Sequence, residues 1–514
     1  MVTRPVLEDR NEMRGWFRAG AALLPLLIAS SPPARALWSS DPAHNLVIAD
    51  GASEQVQPKI VPLADGGFYV SWFDNSTGGY DVRLQRLSAS GTELWAHNGV
   101  LVADRGLSST TDYGLSVDAA GNALLAFNDD SQPTERIVAA KFSPAGQSLW
   151  GAPGIAVSTS SGFLASPRIA GTADGAVVVA WIQDSDTVLQ RIDAQGGIEW
   201  TAGGIILPHS GDSFLLADLR AAGTGLEASH VIVSWVRYVT FLGDKHLWAQ
   251  KLDGNGAPLW GAGPVHVFDL SGGSLQFGNF PEFSADGAGG AVFAWYTSTP
   301  ALQVRLQRIL AAGTEAFAHN GVELSTDTVR SRVNPSATFD PPSQTVTSFW
   351  VETNSLQNQF GVYGQRLDGG GARLWGSSGI ALVPLGGQEI TQVRAMTPAP
   401  GPALAGPAPS DAIAVWAETV AFDDQPIRAE RIDPAGTAVW IPALRSIKTS
   451  SGGTSRLADA ASAEGFHALV WTDGESAGDL KAQNLNGDGS LGAAALFADG
   501  YESGNTGEWS AHVP

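Results

Sequence analysis

An aromatic residue that closes an apolar run recurs along the whole chain, and its period constrains the fold more than any other feature. Successive copies are 54 to 66 residues apart, which defines eight units. The copies are Trp72, Phe127, Trp181, Trp235, Trp295, Trp350, Trp416 and Trp471. A second aromatic follows in seven units, as Trp95, Trp150, Trp200, Trp260, Phe317, Trp375 and Trp440. Because 13 of the 17 tryptophans occupy these two positions, they belong to a repeated packing scheme.

Each unit contains four candidate strands. In the first unit they span residues 59–63, 68–73, 81–87 and 100–103, with Gly- and Asp-containing turns between them. Alternating stretches such as VRLQRL favour strand over helix. Four-stranded sheets repeated radially form β-propellers, typically of about four to eight blades. The sequence therefore predicts an all-β, eight-bladed β-propeller.

The two ends of the repeat array are complementary. Residues 45–50 (NLVIAD) resemble the last strand of a unit, whereas the eighth unit departs from the repeat after residues 481–485. Unpaired strand edges invite association with other chains, so proteins pair or cover them. We expect strand 45–50 to pair near residues 481–485, which completes the eighth blade and closes the ring.

Residues 1–36 have the pattern of a secretory signal peptide. Arg14 and Arg18 precede the apolar stretch 19–30, and the sequence Ala-Arg-Ala at 34–36 fits a cleavage site. The apolar core is shorter than the roughly 20 residues that span a bilayer. The predicted organisation is a signal peptide (1–36), a propeller (37–495) and a C-terminal tail (496–514).

The tail carries a second indication of export. Residues 496–510 (LFADGYESGNTGEWS) resemble the F-x-DGFESGDT-x-x-W tail of many exported proteins of gamma-proteobacteria. The matching residues are Phe497, Asp499, Gly500, Glu502, Ser503, Gly504, Thr506 and Trp509, and the departures are Tyr501 and Asn505. The resemblance implies a periplasmic, cell-surface or secreted location and leaves the activity open.

A turn motif before the second aromatic suggests a relationship to one propeller family. Sequences such as KLDGNGAPLW (251–260) resemble the A-x-D-x-x-T-G-x-x-x-W motif of pyrroloquinoline-quinone-type eight-bladed propellers. The Asp and Gly positions are matched by Asp193, Asp253, Asp368 and Asp433 and by Gly196, Gly256, Gly371 and Gly436. The resemblance implies that the Trp of one blade packs against the next. The motif's Thr is missing, and the dehydrogenases need a vicinal cysteine pair that a chain without cysteine cannot supply. We therefore predict no quinone and no other cofactor.

Composition excludes several classes of partner. The net charge of −21 argues against nucleic acid. The absence of cysteine excludes disulfides and thiolate metal sites. The nine histidines include no pair at metal-binding spacing, so we predict no metal site. No long apolar run follows the N-terminal one, so we predict no membrane span, and we expect a monomer.

Charged residues recur at two places in the repeat. A basic residue opens the first strand in several units, and Glu282 takes that place in one. An acid follows the first aromatic by two residues in several units, including some of the same ones. The possible channel-mouth residues are Lys59, Asp74, Arg168, Glu282, Glu352, Arg394, Glu418, Arg456 and Asp473. Symmetry about the hairpin turn predicts that Lys59 faces Asp74 and that Arg456 faces Asp473. We favour repeated rim salt bridges, and the alternative is a polar ring that binds a charged ligand.

No sequence motif announces a catalytic residue. Closely similar repeats favour binding or scaffolding, because an active site breaks the symmetry at a few blades. The leading interpretation is a non-catalytic exported propeller that binds a protein partner, a glycan or an envelope component through loops at the channel mouth. A polysaccharide-active hydrolase or lyase and an envelope assembly scaffold remain as alternatives on the same fold.

Overall fold

Eight four-stranded antiparallel sheets follow one another in a ring, in a computed structural model that confirms the predicted eight-bladed β-propeller. The structure describes residues 37–493 except 108–111, 161, 209–210, 239, 241, 400–409, 422 and 475–477. These residues belong to one compact unit, Arg35–Pro514. The predicted signal peptide and the tail at 496–514 lie outside the described residues. No described segment forms an apolar helix of membrane-spanning length.

The strands of the first half follow the repeat. The first strand, β1, spans Leu46–Ala49. Blade 1 contains β2 (Gln55–Pro62), β3 (Phe68–Asp74), β4 (Asp81–Leu87) and β5 (Val100–Ala103). Blade 2 contains β6 (Gly114–Val117), β7 (Ala123–Asp129), β8 (Arg136–Phe142) and β9 (Ile155–Ala156). Blade 3 contains β10 (Leu164–Gly171), β11 (Val177–Gln183), β12 (Asp186–Ile192) and β13 (Ile205–Ile206). Blade 4 contains β14 (Ser213–Ala221), β15 (Val231–Tyr238), β16 (Lys245–Leu252) and β17 (Val265–Phe268), with a short 3-10 helix, Gly225–Ser229, in its first hairpin.

The second half repeats this order with one variation. Blade 5 divides its inner strand into β18 (Ser274–Leu275) and β19 (Phe283–Ala285), followed by β20 (Ala291–Thr299), β21 (Gln303–Ile309) and β22 (Val322–Glu323). Blade 6 contains β23 (Ser331–Asp340), β24 (Thr345–Thr353), β25 (Phe360–Leu367) and β26 (Ile380–Gly386). Blade 7 contains β27 (Glu389–Met396), β28 (Ala412–Thr419), β29 (Ile427–Ile432) and β30 (Arg445–Lys448). Blade 8 contains β31 (Thr454–Ala461), β32 (Phe466–Asp473) and β33 (Asp479–Asn486).

The first aromatic of each unit fills the space between adjacent sheets. Every residue of β3 is buried, because sheets cover both of its faces. Trp72 is fully buried and packs in one cluster with Val470 and Ala468 of blade 8. A buried side chain of this size contributes roughly 1.5–3 kcal/mol. The repeated aromatic therefore provides the core between one blade and the next.

The second aromatic joins each blade to a glycine turn of the following blade. The indole N–H of Trp95 donates to the carbonyl of Pro144 at 3.2 Å. Equivalent bonds from Trp260 and Trp375 reach the carbonyls of Ala311 (3.1 Å) and Pro434 (3.0 Å). The turn has no room for a larger residue beside the tryptophan, since a Cβ at Gly313 would lie 2.6 Å from the Trp260 side chain. A left-handed φ of +80° at this glycine also disfavours any other residue.

A Gln-Arg pair in the third strand of the blade, Gln190-Arg191 in β12, positions the second aromatic for this contact. The side-chain amide of Gln190 donates to the carbonyl of Thr201 and accepts hydrogen bonds from the backbone N–H groups of Arg191 and Trp200. The guanidinium of Arg191 pairs with Asp174 and Glu199 within the same blade. The pair therefore orders the turn that places the tryptophan.

The N-terminal segment closes the ring as predicted. Strand β1 pairs with β33, with Leu46 opposite Ala482 and Val47 opposite Lys481. Trp38 also takes the place of the second aromatic that blade 8 lacks, because its indole donates to the carbonyl of Ala89 in blade 1 at 2.8 Å. The last blade is thus assembled from both ends of the repeat array.

His97 connects blade 1 to the N-terminal segment that closes the ring. The His97 ring lies 3.0 Å from a carboxylate oxygen of Asp50, just after β1, and 3.0 Å from Glu93. The Asn98 side chain accepts a hydrogen bond from the Asp50 backbone N–H at 2.9 Å. Burial works to lower the pKa of His97, but the hydrogen bonds to Glu93 and Asp50 outweigh it and raise the pKa above its ordinary value.

Deleting residues 37–50 should destabilise the propeller, because it removes the buried Trp38, Leu46 and Ile48 and exposes the edge of β33. We expect the melting temperature to fall by about 10 °C and the protein to associate. Calorimetry and light scattering measure both. Removal of residues 501–514 is the control and should change neither. An unaltered melting temperature after the first deletion would contradict the closure's role.

Replacing His97 by Gln should make the stability less dependent on pH. A raised folded-state pKa means that the stabilisation is present below the unfolded pKa of about 6.5 and disappears as the pH rises through the folded value. The melting temperature of the variant should lie about 1–2 °C below the wild type at pH 5.5 and approach it at about pH 9. His44→Gln, at an exposed histidine, is the matched control. A difference that grows with pH would exclude this role.

Candidate functional site

The inner strands of all eight blades enclose a central cavity of about 950 Å³. Its wall is polar and carries nine Lys, Arg, Asp or Glu side chains from blades 1 to 5, 7 and 8 and the segments that precede them. They are Lys59, Asp112, Arg168, Asp218, Arg220, Glu282, Arg394, Arg456 and Asp459. Five of the nine predicted channel-mouth residues are therefore brought together here: Lys59, Arg168, Glu282, Arg394 and Arg456.

A β-bulge near the start of the inner strand determines which side chains lie at the same height, or level, along the cavity wall. In five blades a non-glycine residue there has a left-handed backbone, namely Gln57, Ser166, Asn334, Gln392 and Arg456. The register shifts at this point in β2, β10, β23, β27 and β31. Lys59, Arg168 and Arg394 follow the bulge by two residues, whereas Arg456 occupies the bulge itself. Blade 8 has Ala458 at the level of the three basic residues.

One half of the wall carries a chain of alternating charges. Lys59 Nζ lies 2.9 Å from Asp112, whose other oxygen lies 2.5 Å from Arg168 Nη2. Arg168 Nε approaches Asp218 at 3.7 Å. Arg220 Nε lies 2.8 Å from Asp218 Oδ2. The chain runs across the inner edges of blades 1 to 4, and each of these cations contacts a carboxylate.

The chain ends at Glu282, in the segment that leads into β19. Arg220 Nη2 lies 3.4 Å from Glu282 Oε2, and both side chains are about half exposed to the cavity. Burial works to raise the pKa of Glu282, but the charges of Arg220, Lys59, Arg168 and Arg394 outweigh it and lower the pKa to about 2. Glu282 is therefore ionised at neutral pH.

Asp112 and Asp218 differ in access. Burial works to raise the pKa of Asp112, yet Arg168 and Lys59 hold it well below its ordinary range. Burial raises the pKa of Asp218, which is 1% exposed. Asp218 also accepts hydrogen bonds from the backbone N–H groups of Leu219 (2.9 Å) and Phe283 (3.2 Å). The carboxylate of Asp218 is thus buried in the wall and engaged by these hydrogen bonds and by Arg220.

The other half of the wall, in blades 7 and 8, is charged differently. Arg394 Nε and Nη2 both donate to the carbonyl of Leu457, at 2.8 and 2.5 Å. Arg456 is exposed and has no hydrogen bond or ion pair to the described residues. Asp459 Oδ2 lies 3.6 Å from His467 Nδ1. Neither arginine has an acidic partner within 4.0 Å in the described part of the chain.

The other four predicted residues, Asp74, Glu352, Glu418 and Asp473, lie inside their blades and do not line the cavity. Each pairs with a basic residue of its own blade: Asp74 with Arg83 (3.3 Å), Glu352 with Arg332 (3.0 Å), Glu418 with Arg428 (2.9 Å) and Asp473 with Lys481. Asp473 also lies 2.6 Å from Lys448 of blade 7. These acids therefore join strands within a sheet, and Asp473 joins blades 7 and 8 as well.

The predicted facing pairs are wrong. Asp74 lies opposite Gln55, and Lys59 lies opposite Ser71. The bulge adds residues to the inner strand only, so equal counting from the hairpin turn ends at the wrong partner. The same shift places Thr454, and not Arg456, opposite Asp473. The basic residues therefore point to the cavity instead of pairing with these acids.

Sequence spacing misses Asp112, Asp218 and Arg220. Asp218 lies opposite Ser234, directly before an anchor tryptophan, which is the place that Lys59 has in blade 1. The longer first hairpin of blade 4, with its 3-10 helix, hides this equivalence in the sequence. Asp112 precedes its strand, so the strand pattern contains no sign of it. Only the register of the folded sheet reveals these positions.

Comparisons with known proteins add the following. No protein-family model matches this chain, and no curated protein matches it. A solved polysaccharide lyase of family PL25, an ulvan lyase bound to -[GlcA(1-4)Rha3S]-, is 13% identical over 78% of this chain and 98% of that one, with a TM-score of 0.45. Polysaccharide lyase Uly1 is 11% identical over 87% and 92%, with a TM-score of 0.44. Prolyl oligopeptidase B from Galerina marginata is 11% identical over 83% of this chain and 56% of its own, with a TM-score of 0.41. Likenesses this distant do not bear on activity.

The charge chain should be detectable as energetic coupling. In a double-mutant cycle, Lys59→Gln with Asp112→Asn should give a coupling free energy of about 0.5–1 kcal/mol, because the two groups touch and are partly screened. Lys59→Gln with Asp74→Asn should give less than about 0.3 kcal/mol, because no contact joins them. Denaturant unfolding measures both cycles. A larger coupling for the second pair would contradict the register.

Proposed function

We propose that this protein is an exported, non-catalytic propeller that binds a ligand in its central cavity. One observation supports this above the others: the cavity wall has exposed charged groups, Arg220, Glu282 and Arg456, at the centre of an otherwise repetitive fold. The buried aromatic side chains between the sheets and the indole hydrogen bonds at the outer turns hold the blades together without these three groups. Exposed charges on a concave polar surface are typical of ligand recognition.

The carboxylates of the cavity favour binding over hydrolysis. Glycosidases need one carboxylic acid that stays protonated and a second carboxylate within reach of the same bond. Glu282 is ionised, and Asp112 bridges two cations. Asp218 has a raised pKa but is buried and fully hydrogen-bonded, so a substrate cannot reach it. A hydrolase or lyase on this scaffold remains the second candidate, and turnover is what separates the two.

Export is part of the proposal and rests on the sequence patterns at residues 1–36 and 496–510. Cleavage after residue 36 leaves Leu37 and Trp38 at the start of the mature chain. Trp38 helps to close the propeller ring, because its indole donates to the carbonyl of Ala89 in blade 1. Mass spectrometry of the protein recovered from its native compartment should find Leu37 as the first residue. An intact N-terminus would refute this part.

A blocking substitution tests the cavity. Ser284 is exposed and lines the wall, so Ser284→Trp should obstruct the cavity without disturbing the core. Ser378→Trp, at an exposed turn of blade 6 away from the cavity, is the matched control. The mature protein is screened on a glycan array and against solubilised envelope proteins, with turnover assays on the same polysaccharides.

We expect ligand binding to the wild type and to Ser378→Trp, at least a tenfold loss in Ser284→Trp, and no turnover. Equal binding by both variants would contradict the cavity as the site. Release of reducing ends or unsaturated products by the wild type would establish the enzyme instead. Capture of envelope proteins without any glycan would favour the assembly scaffold.

A further inference from the structure

The wall of the central cavity has the opposite charge balance from the protein as a whole. The chain has a net charge of −21, yet five basic side chains and four acidic ones line the cavity. Lys59, Arg168 and Arg220 already contact carboxylates. Arg394 and Arg456 have none among the described residues. The excess positive charge is therefore concentrated where blades 7 and 8 meet.

These two arginines are neighbours across the interface between the blades. The guanidinium of Arg394 is held by the carbonyl of Leu457, the residue that directly follows Arg456. This anchoring uses Nε and Nη2 and leaves Nη1 without a hydrogen bond to the described residues. The Arg394 guanidinium is thus fixed against the backbone of the residue that follows Arg456, and this fixed position lowers the entropy lost when a ligand binds.

The charge of Arg456 has no role in forming the bulge. The same left-handed position is occupied in blades 1 and 7 by Gln57 and Gln392, with φ of 55° and 54° against 56° at Arg456. Uncharged side chains therefore satisfy this backbone equally well. The exposed Arg456 side chain forms no hydrogen bond or ion pair with the described residues, so its guanidinium is available to a ligand.

No acid of the described residues lies within 4.0 Å of either arginine, although the charge of Arg394 contributes to the lowered pKa of Glu282. Glu282 contacts Arg220, and Asp459 lies beside His467. A guanidinium offers two parallel N–H donors, which match the paired oxygens of a carboxylate or a sulfate. Two such groups in one cavity match a ligand that carries at least one of these anions.

The rest of the wall favours a hydroxyl-rich ligand. The inner strands are edge strands, so they present backbone N–H and C=O groups that can bind hydroxyls. The bulges interrupt the regular edge in five blades and so disfavour addition of an extended peptide strand. A volume of about 950 Å³ is within the range of small-ligand sites and accommodates several sugar units.

We propose that Arg394 and Arg456 form a subsite for the carboxylate or sulfate group of an acidic oligosaccharide bound in the central cavity. This inference rests on the proposed function, because it specifies the ligand of the same cavity. Arg394 provides the fixed donor and Arg456 the mobile one. The hydroxyls of the flanking sugar units bind along the polar inner strands.

Calorimetric titration with four probes of similar length tests the subsite. The probes are hexagalacturonate, a sulfated galactan hexamer, neutral maltohexaose and a hexaglutamate peptide. The two acidic sugars distinguish carboxylate from sulfate as the recognised group. Arg456→Gln is the decisive variant, since glutamine already occupies this backbone position in two other blades. Arg394→Lys keeps the charge but loses the planar fork, and Arg445→Gln is the control.

Arg445 is a suitable control because it belongs to blade 7 and does not line the cavity. Among the described residues its guanidinium donates to the carbonyl of Ile441 and lies over the ring of Trp440. We expect one acidic sugar to bind the wild type and Arg445→Gln equally, and Arg456→Gln and Arg394→Lys to bind it about tenfold or more weakly. Binding should also weaken near 1 M salt, where the screening length is about 3 Å. Melting temperatures of all variants should be unchanged within a few degrees.

Three outcomes overturn the inference. The first is binding of an acidic sugar that Arg456→Gln does not weaken. The second is equal or tighter binding of maltohexaose or of the peptide, and the third is no binding of either acidic sugar. If Ser284→Trp abolishes binding while Arg456→Gln leaves it intact, the cavity is the site and only the subsite is wrong. If neither substitution affects binding, the proposed function fails as well.

Discussion

The contact between the second aromatic and the glycine turn of the next blade is the interaction on which the ring depends. In five blades the indole of the second aromatic packs on a glycine turn of the next blade and donates its N–H to a carbonyl there, as Trp260 does with Ala311. A four-stranded sheet cannot bury both faces alone, so its stability comes from its neighbours. The same contact at Trp38 and Gly91 joins the first and last blades, which makes the array a closed structure.

Because these contacts hold the blades together, the side chains of the inner strands are free to vary for ligand recognition. The contacts that hold the blades together lie between the sheets and at their outer turns, where Trp72 and Trp95 provide the packing. The inner strands have one unpaired edge, and their side chains at the cavity can differ between blades without loss of the fold. Lys59, Arg168 and Arg394 occupy equivalent levels in blades 1, 3 and 7, whereas blade 8 has Ala458 there. Variation of this kind gives an asymmetric surface on a symmetric scaffold.

The sequence was sufficient for the blades but not for the cavity. Strand alternation and the aromatic period predict β4 and β5 with their observed bounds. The complementary ends predict that residues 45–50 pair near residues 481–485, and the structure shows Leu46 opposite Ala482. Sequence patterns suffice there because apolar runs and turn residues mark each strand and its ends. The partners of Lys59 and Asp74 depend on a bulge, which changes the register without leaving a sequence signature. Contacts such as Lys59 with Asp112 join different blades, so no spacing within one repeat can indicate them.

Closure by β1 also determines when the protein can finish folding. Most strands pair with neighbours that are close in sequence, so blades 1 to 7 can form one after another as the chain is made. The eighth cannot, because the side-chain amide of Gln483 bonds the carbonyl of Ser39, 444 residues away. Contacts this distant form slowly and late. The N-terminal strand β1 therefore stays unpaired until β33 has formed. The cavity acquires its final shape when these two strands pair and close the ring.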